Sequence, residues 1–177
     1  ILANVQIPFI PALVAAGLVA ALFGFVIGAP VLRLRDDYLA IATLGFSEII
    51  RVIITNAQTF TNGAQGIKGL PEYSTTWTVW GAAALATVFM VFLIRSSYGR
   101  ALKAVRDDEI AAEAMGGDVF RVKVVSFTAS SFMAGVGGAL LGHMVTTIDP
   151  KMFTFMLTFS ILLIVVLGGT GSISGSV

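Results

Sequence analysis

Ser96–Lys123, SSYGRALKAVRDDEIAAEAMGGDVFRVK, decides how the rest of the chain is read. It holds five of the eleven Lys and Arg residues, with Arg95 a sixth at its edge, and five of the ten Asp and Glu residues. Trp77–Ile94 before it and Val124–Ile148 after it carry no Asp, Glu, Lys or Arg. Runs that long and that apolar seek hydrocarbon, whereas a dense cluster of charge seeks water. A solvated island is therefore held between two membrane-crossing segments.

Within the island, Ala101–Met115 is rich in strong helix formers, with Leu102, Val105 and Ile110 set among charges, and the pattern predicts one short helix. Tyr98-Gly99 breaks the preceding run and Gly116-Gly117 supplies the stop. Asp107 and Asp108 interrupt the apolar side, so the amphipathic face is short. Charged sides around small Ala111, Ala112 and Ala114 suit insertion into a groove of another protein. A plain solvated connector between membrane helices fits the spacing equally well.

Over all 177 residues, 56% are hydrophobic and 12% are charged, with a mean hydropathy of +0.92. Soluble domains carry about 25% charge, so the class is integral membrane. A net charge of +1, with cations and anions interleaved, describes no nucleic-acid binder. Zero cysteines exclude disulfides, thiolate metal sites and a cysteine nucleophile, and a lone histidine, His143, excludes a multi-histidine metal site. No cofactor is expected. The chain opens on Ile1 and closes within GGTGSISGSV, and the expectation is a fragment of a longer protein.

Five segments are predicted to cross the membrane, giving an all-α polytopic helix bundle as one transmembrane domain over residues 1–177. The first, Ala12–Leu32, is uncharged and long enough for about 30 Å of hydrocarbon. Gly24 and Gly28 within it stand four apart, which lets another backbone approach. The second, Tyr38–Asn56, is unusual because Glu48 and Arg51 lie inside it, three apart on neighbouring helical positions. Charges near mid-bilayer are costly unless paired or facing a wet interior, so the two mark either a structural ion pair or a substrate path.

Residues 59–76, rich in glycine, threonine and amides, read as an extracytoplasmic loop. Trp77–Ile94 is the third segment, opening with Trp77 and Trp80 at headgroup level. Val124–Ile148 is the fourth, where Ala134, Gly138 and Gly142 repeat at four as a packing ridge. His143 near its outer end reads as an interfacial hydrogen-bonding residue. After the turn Asp149-Pro150-Lys151, Met152–Leu167 is the fifth. Five crossings put Arg33, Arg35, Arg95, Arg100, Lys103, Arg106, Arg121 and Lys123 on one side and only Lys68 and Lys151 on the other. The richer side is cytoplasmic, and the island at 96–123 faces the cytoplasm.

Leu32–Asn56 (LRLRDDYLAIATLGFSEIIRVIITN), Tyr98–Gly116 (YGRALKAVRDDEIAAEAMG) and Leu167–Gly175 (LGGTGSISG) together resemble the permease subunits of branched-chain amino acid ABC importers, the LivM type. The resemblance covers essentially the whole chain. It implies that Arg100, Lys103, Arg106, Asp107, Asp108, Glu109, Ala111, Ala112, Glu113 and Gly116 form a coupling loop that docks on an ATPase subunit. The broader importer signature is met approximately: Ala111, Ala112 and Gly116 keep their places, while Ile110 takes the glutamate position and Glu109 sits one earlier. It further implies a second permease subunit, two ABC ATPase subunits, an extracytoplasmic binding protein, a lipid surround in the inner membrane, and helices before Ile1 and after Val177.

Related permeases implied by the same resemblance carry urea or short amides. An ion-coupled secondary carrier using Glu48 and Arg51 directly is a further reading. An intramembrane enzyme would need Glu48, His143 and Asp149 to meet, and the predicted depths keep them apart. Neither a Walker phrase nor a supported Ser-His-Asp order occurs, so the chain reads as a transport subunit whose ATP chemistry belongs to other chains.

Overall fold

In hydrocarbon a single segment satisfies its own amides and carbonyls only as a helix, so the uncharged runs have one available form. A computed structural model describes residues 9–34, 36–57, 66–68, 75–149 and 152–168. In these it forms α1 (Phe9–Val31), α2 (Asp36–Asn56), β1 (Ile67–Lys68), α3 (Thr76–Arg95), α4 (Ser97–Asp107), α5 (Glu109–Ala114), α6 (Val119–Val145), β2 (Thr147–Ile148) and α7 (Phe155–Gly168). Each of the five expected crossings is thus helical. By length and composition alone, α1, α3 and α6 can cross a membrane. Of the other two, α2 has 21 residues with Glu48 and Arg51 inside its apolar length, and α7 has 14 residues, about 21 Å of rise.

The bundle is organised by the packing of α1 against α6, the most extensive pairing in the fold. Gly17, Gly24 and Gly28 are buried on α1. A Cβ at Gly17 would meet the Phe132 ring at 2.7 Å and Val136 at 2.9 Å, one at Gly24 would meet the Ser131 side chain, and one at Gly28 the Phe127 ring at 2.7 Å. Only glycine lets these helices come so close, and the close-approach expectation for Gly24 and Gly28 holds. On α6 the ridge differs from expectation. Ala134 is exposed and Gly138 has open space around it. The packed ridge is Phe127, Ser131 and Gly135, one position round the helix. Gly142, seven residues beyond Gly135, is buried as expected.

The two helices run antiparallel and are pinned at both ends. The Arg33 guanidinium lies 5.0 Å from the Phe120 ring centroid. At the opposite end the Phe9 and His143 rings meet edge to face with centroids 5.4 Å apart. Beyond His143, β1 and β2 pair antiparallel, Ile67 with Ile148 and Lys68 with Thr147. Gly66, at φ +67, lies under the Ile148 carbonyl where no side chain fits. Arg33, Arg95 and the island therefore share one end, and Lys68 belongs to the other. Arg35, Lys151 and most of the 59–76 loop lie outside the described residues.

The island is two helices, not the single helix expected over Ala101–Met115. Asp108 has extended backbone, φ −156 and ψ 110. Its amide donates to the Ala104 carbonyl (3.0 Å), closing α4, and its carboxylate accepts from the Ala111 amide (2.9 Å), opening α5. An aspartate that satisfies an otherwise orphaned first-turn amide favours a new start over continuation. The break before the island falls at Ser96, whose hydroxyl accepts from the Gly99 amide at 3.2 Å. The stop at Gly116-Gly117 is as expected. The Gly117 amide donates to Ala112 and the Gly116 amide to Glu113, with Gly116 at φ +83.

Candidate functional site

Two places concentrate polar chemistry: the α4–α5 elbow at the charged end and the Glu48–Arg51 pair within the bundle. On α4, Tyr98, Gly99, Ala101, Leu102 and Val105 are buried or half-buried, while Arg100, Lys103, Arg106 and Asp107 are exposed. The spacing puts one apolar stripe against the bundle and one charged face toward water. Tyr98 anchors the stripe, its hydroxyl donating to the Val122 carbonyl of α6 at 2.8 Å. Burial raises the Tyr98 phenol above its ordinary value of 10.0, with the Ser126 hydroxyl acting in the opposite direction.

The second anchor is ionic. Lys123 Nζ of α6 lies 2.6 Å from Glu109 Oε1 of α5. Asp118 caps α6 by accepting from the Arg121 amide at 3.1 Å and pairs with the Arg121 side chain at 2.8 Å. These partners let α6 start at Val119, ahead of the expected Val124. Arg106 pairs with its neighbour Asp107 at 2.9 Å, and Arg100 donates to Ser97 Oγ at 2.8 Å. Ala111, Glu113 and Gly116 are exposed and Ala112 is half-buried.

The structure thus gathers all ten residues expected for coupling on one elbow. It also adds two the sequence reading did not select. Ile110 is 81% exposed and Met115 is 89% exposed, standing out of a charged segment beside a groove of about 340 Å³ lined by Ala104, Ala111 and Met115. Together they form a small apolar patch within a charged segment, of the kind a docking partner can cover. The available signal was Ile110 in the glutamate position, a large apolar residue where water is expected.

On α2, Arg51 reaches back one turn to Glu48. Its Nε and its Nη2 each lie 3.0 Å from the same oxygen, Glu48 Oε2. The pair lines a cavity of about 590 Å³ between α1, α2, α6 and the start of α7, whose wall is mostly apolar but includes Ser47, Thr154 and Thr158. Neither His143 nor Asp149 lines it, so the three groups an intramembrane enzyme would need are not brought together. Among the described residues, no group of three or more His, Cys, Asp or Glu is arranged to hold a metal ion.

A family model described as "Branched-chain amino acid transport system / permease component" matches residues 1–177, the full chain. The chain belongs to this family. Among curated members, the chain is similar to the high-affinity branched-chain amino acid transport system permease protein LivM of Escherichia coli (strain K12), at 39% identity over 89% of this chain and 45% of that protein. It is 30% identical to a probable branched-chain amino acid transport permease protein LivM of Methanocaldococcus jannaschii, over 92% of this chain and 52% of that protein. The LivH permease protein of Salmonella typhimurium matches at 35% identity over 55% of this chain and 32% of its own length. The chain spans about half the length of the LivM proteins it matches. No solved structure matches it. Family membership and the apolar helices together make this branched-chain permease family member a multi-pass, all-α membrane protein.

Proposed function

We propose that the chain is part of a permease subunit of an ATP-driven importer, translocating branched-chain or other hydrophobic amino acids across the inner membrane. The elbow faces the cytoplasm and is gripped by one of two ABC ATPase subunits, which carry the nucleotide. A second, related permease subunit completes the pathway, and an extracytoplasmic binding protein delivers the ligand. Similarity to both LivM and LivH permease proteins supports a paired arrangement of related permeases.

The observation that carries the coupling role is the elbow's construction. It is braced to α6 through Tyr98–Val122 and Glu109–Lys123, yet presents Ile110 and Met115 outward. A knob that is rigid at its base and apolar at its tip can both be held and transmit force. Closure of the ATPases on ATP would move the docked elbow and shift the bundle between outward-open and inward-open states, by differential contact with each.

The test uses the full-length complex in proteoliposomes. Substituting Arg106 or Glu113 by Ala, or Ile110 by Asp, is expected to lower ligand-stimulated ATP hydrolysis and uptake together while ligand capture by the binding protein stays unchanged. Uptake at the parent rate in all three variants overturns the coupling role.

A further inference from the structure

The geometry points to a subsite for the charged head of an α-amino acid in the Glu48–Arg51 cavity, with the ammonium on Glu48 and the carboxylate on Arg51. This inference rests on the importer reading above and adds where the transported molecule is held. The ion pair is lopsided: both Arg51 contacts fall on Oε2 of Glu48. Glu48 Oε1 and Arg51 Nη1 take part in no hydrogen bond among the described residues. One strong acceptor and one guanidinium edge are left over on adjacent turns of the same helix face.

Charge balance explains why a zwitterion suits this site. The pair is net neutral, so a lone carboxylate or a lone ammonium entering the cavity would bring an unbalanced charge into a low-dielectric region. A zwitterion brings none, and its two ends would lie opposite the two leftover groups. The side chains are 40% exposed for Arg51 and 50% for Glu48 within this chain, so both are reachable without unfolding α2. An aliphatic side chain then has Ile54, Ile148 and Phe153 on the wall, while Thr154 and Thr158 add hydroxyl groups. The volume of about 590 Å³ lies within the range of small-molecule sites and exceeds the need of one amino acid.

Position along the bundle fits delivery from outside. Glu48 and Arg51 are twelve and fifteen residues beyond Asp36, about 18 and 22 Å along α2 from its charged-end start. Gly66 and Ile148, which belong to the β-paired opposite end, line the same cavity. The subsite thus sits in the outer half, on the side where a binding protein would release its ligand.

The test measures equilibrium binding to the full-length transporter in nanodiscs without the binding protein, so that only the permease discriminates. The probes are leucine, 4-methylpentanoate, which lacks the ammonium, and isoamylamine, which lacks the carboxylate. Parent protein is expected to prefer leucine over both. Glu48→Gln is expected to weaken leucine about tenfold or more and to favour 4-methylpentanoate, and Arg51→Gln to weaken leucine similarly and favour isoamylamine. Where a single variant fails to assemble, Glu48→Gln combined with Arg51→Gln keeps the cavity neutral, and it is expected to assemble yet bind leucine about tenfold or more weakly. Leucine binding at the parent level in that double variant, or unchanged selectivity in both singles, overturns the subsite. Parent-level leucine uptake across these variants leaves the importer standing and removes the subsite alone. Absence of ATP-driven leucine uptake by the parent complex would instead remove the importer.

Discussion

Gly135→Val tests whether the α1–α6 contact is the keystone of the bundle. A Cβ at Gly135 would lie 2.8 Å from the Ala16 carbonyl oxygen and 3.1 Å from Gly17 Cα, both backbone atoms of α1, besides meeting the Ala20 methyl. No rotamer change moves backbone. Ordinary contact begins at 3.4 Å, so the helices must part by at least about 0.6 Å at this level for the Ala16 carbonyl alone, and further for the Ala20 methyl and two γ-methyls. Overpacking of this kind costs about 1–3 kcal/mol, against a gain of a few tenths from replacing glycine in a helix. For a chain of this size about 1 kcal/mol corresponds to a loss of roughly 2–4 °C in melting temperature. Gly138→Val, three residues along the same helix, places its Cβ in open space and is the control. Both variants are compared by thermal unfolding of the purified full-length protein in detergent. Gly135→Val should melt several degrees below Gly138→Val, and equal or reversed order would refute the packing argument.

Asp108→Ala removes the acceptor of the Ala111 amide and should cost about 1 kcal/mol locally, seen as faster hydrogen exchange over residues 109–115 with α6 unchanged. Lys123→Ala breaks a half-exposed ion pair worth under about 1 kcal/mol, so the melting temperature should hardly move while exchange in α5 again rises. Tyr98 has a folded-state pKa raised above 10.0, so the folded state holds its proton more tightly than the unfolded chain. Its contribution is fully present below 10.0 and is lost as pH rises through the folded value. Ultraviolet titration should therefore show one phenol ionising late, and Tyr98→Phe should abolish that late component.

Helix positions were legible because the lipid-seeking runs leave the backbone no alternative. Phe9–Val31 and Thr76–Arg95 fall within three residues of where their apolar runs begin and end. The fourth crossing, α6, began earlier than expected because Arg121 and Lys123 each find a carboxylate, Asp118 and Glu109, and so tolerate positions in its opening turns. Charge marked the membrane boundary; it did not mark the helix boundary. The elbow at Asp108 was hidden for a related reason. Composition favours helix across Ala101–Met115, and a single cap outweighed it, a signal carried by one carboxylate among five in the island. The α6 ridge was misplaced because glycine spacing alone gives two adjacent faces, and only the Phe127 and Phe132 rings filling Gly28 and Gly17 select between them. Of the site, the Glu48–Arg51 spacing already foretold contact, whereas the cavity beside it depends on α1 and α7, which no local pattern brings together.

The two polar places share one rod. Near its start, α6 receives the elbow through Val122 and Lys123; at Gly135, twelve or so residues and about 18 Å further on, it lines the Glu48–Arg51 cavity. At the same level Gly135 seats against Ala16 and Ala20 of α1 with no slack, so α1 must travel with α6 when the elbow is displaced. By contrast α2 touches α1 lightly, and α7 meets the other helices only sparsely. The cavity wall therefore divides into a stiff half, α1 with α6, and a looser half, α2 with α7. On the proposed coupling, displacement at the elbow should open or narrow the cavity along the seam between those halves, which is where the ion pair of α2 faces Ala20 and Gly135. On the proposed coupling, a pull on Ile110 and Met115 would then reach a molecule held at the proposed subsite through packed backbone, with no separate linkage required.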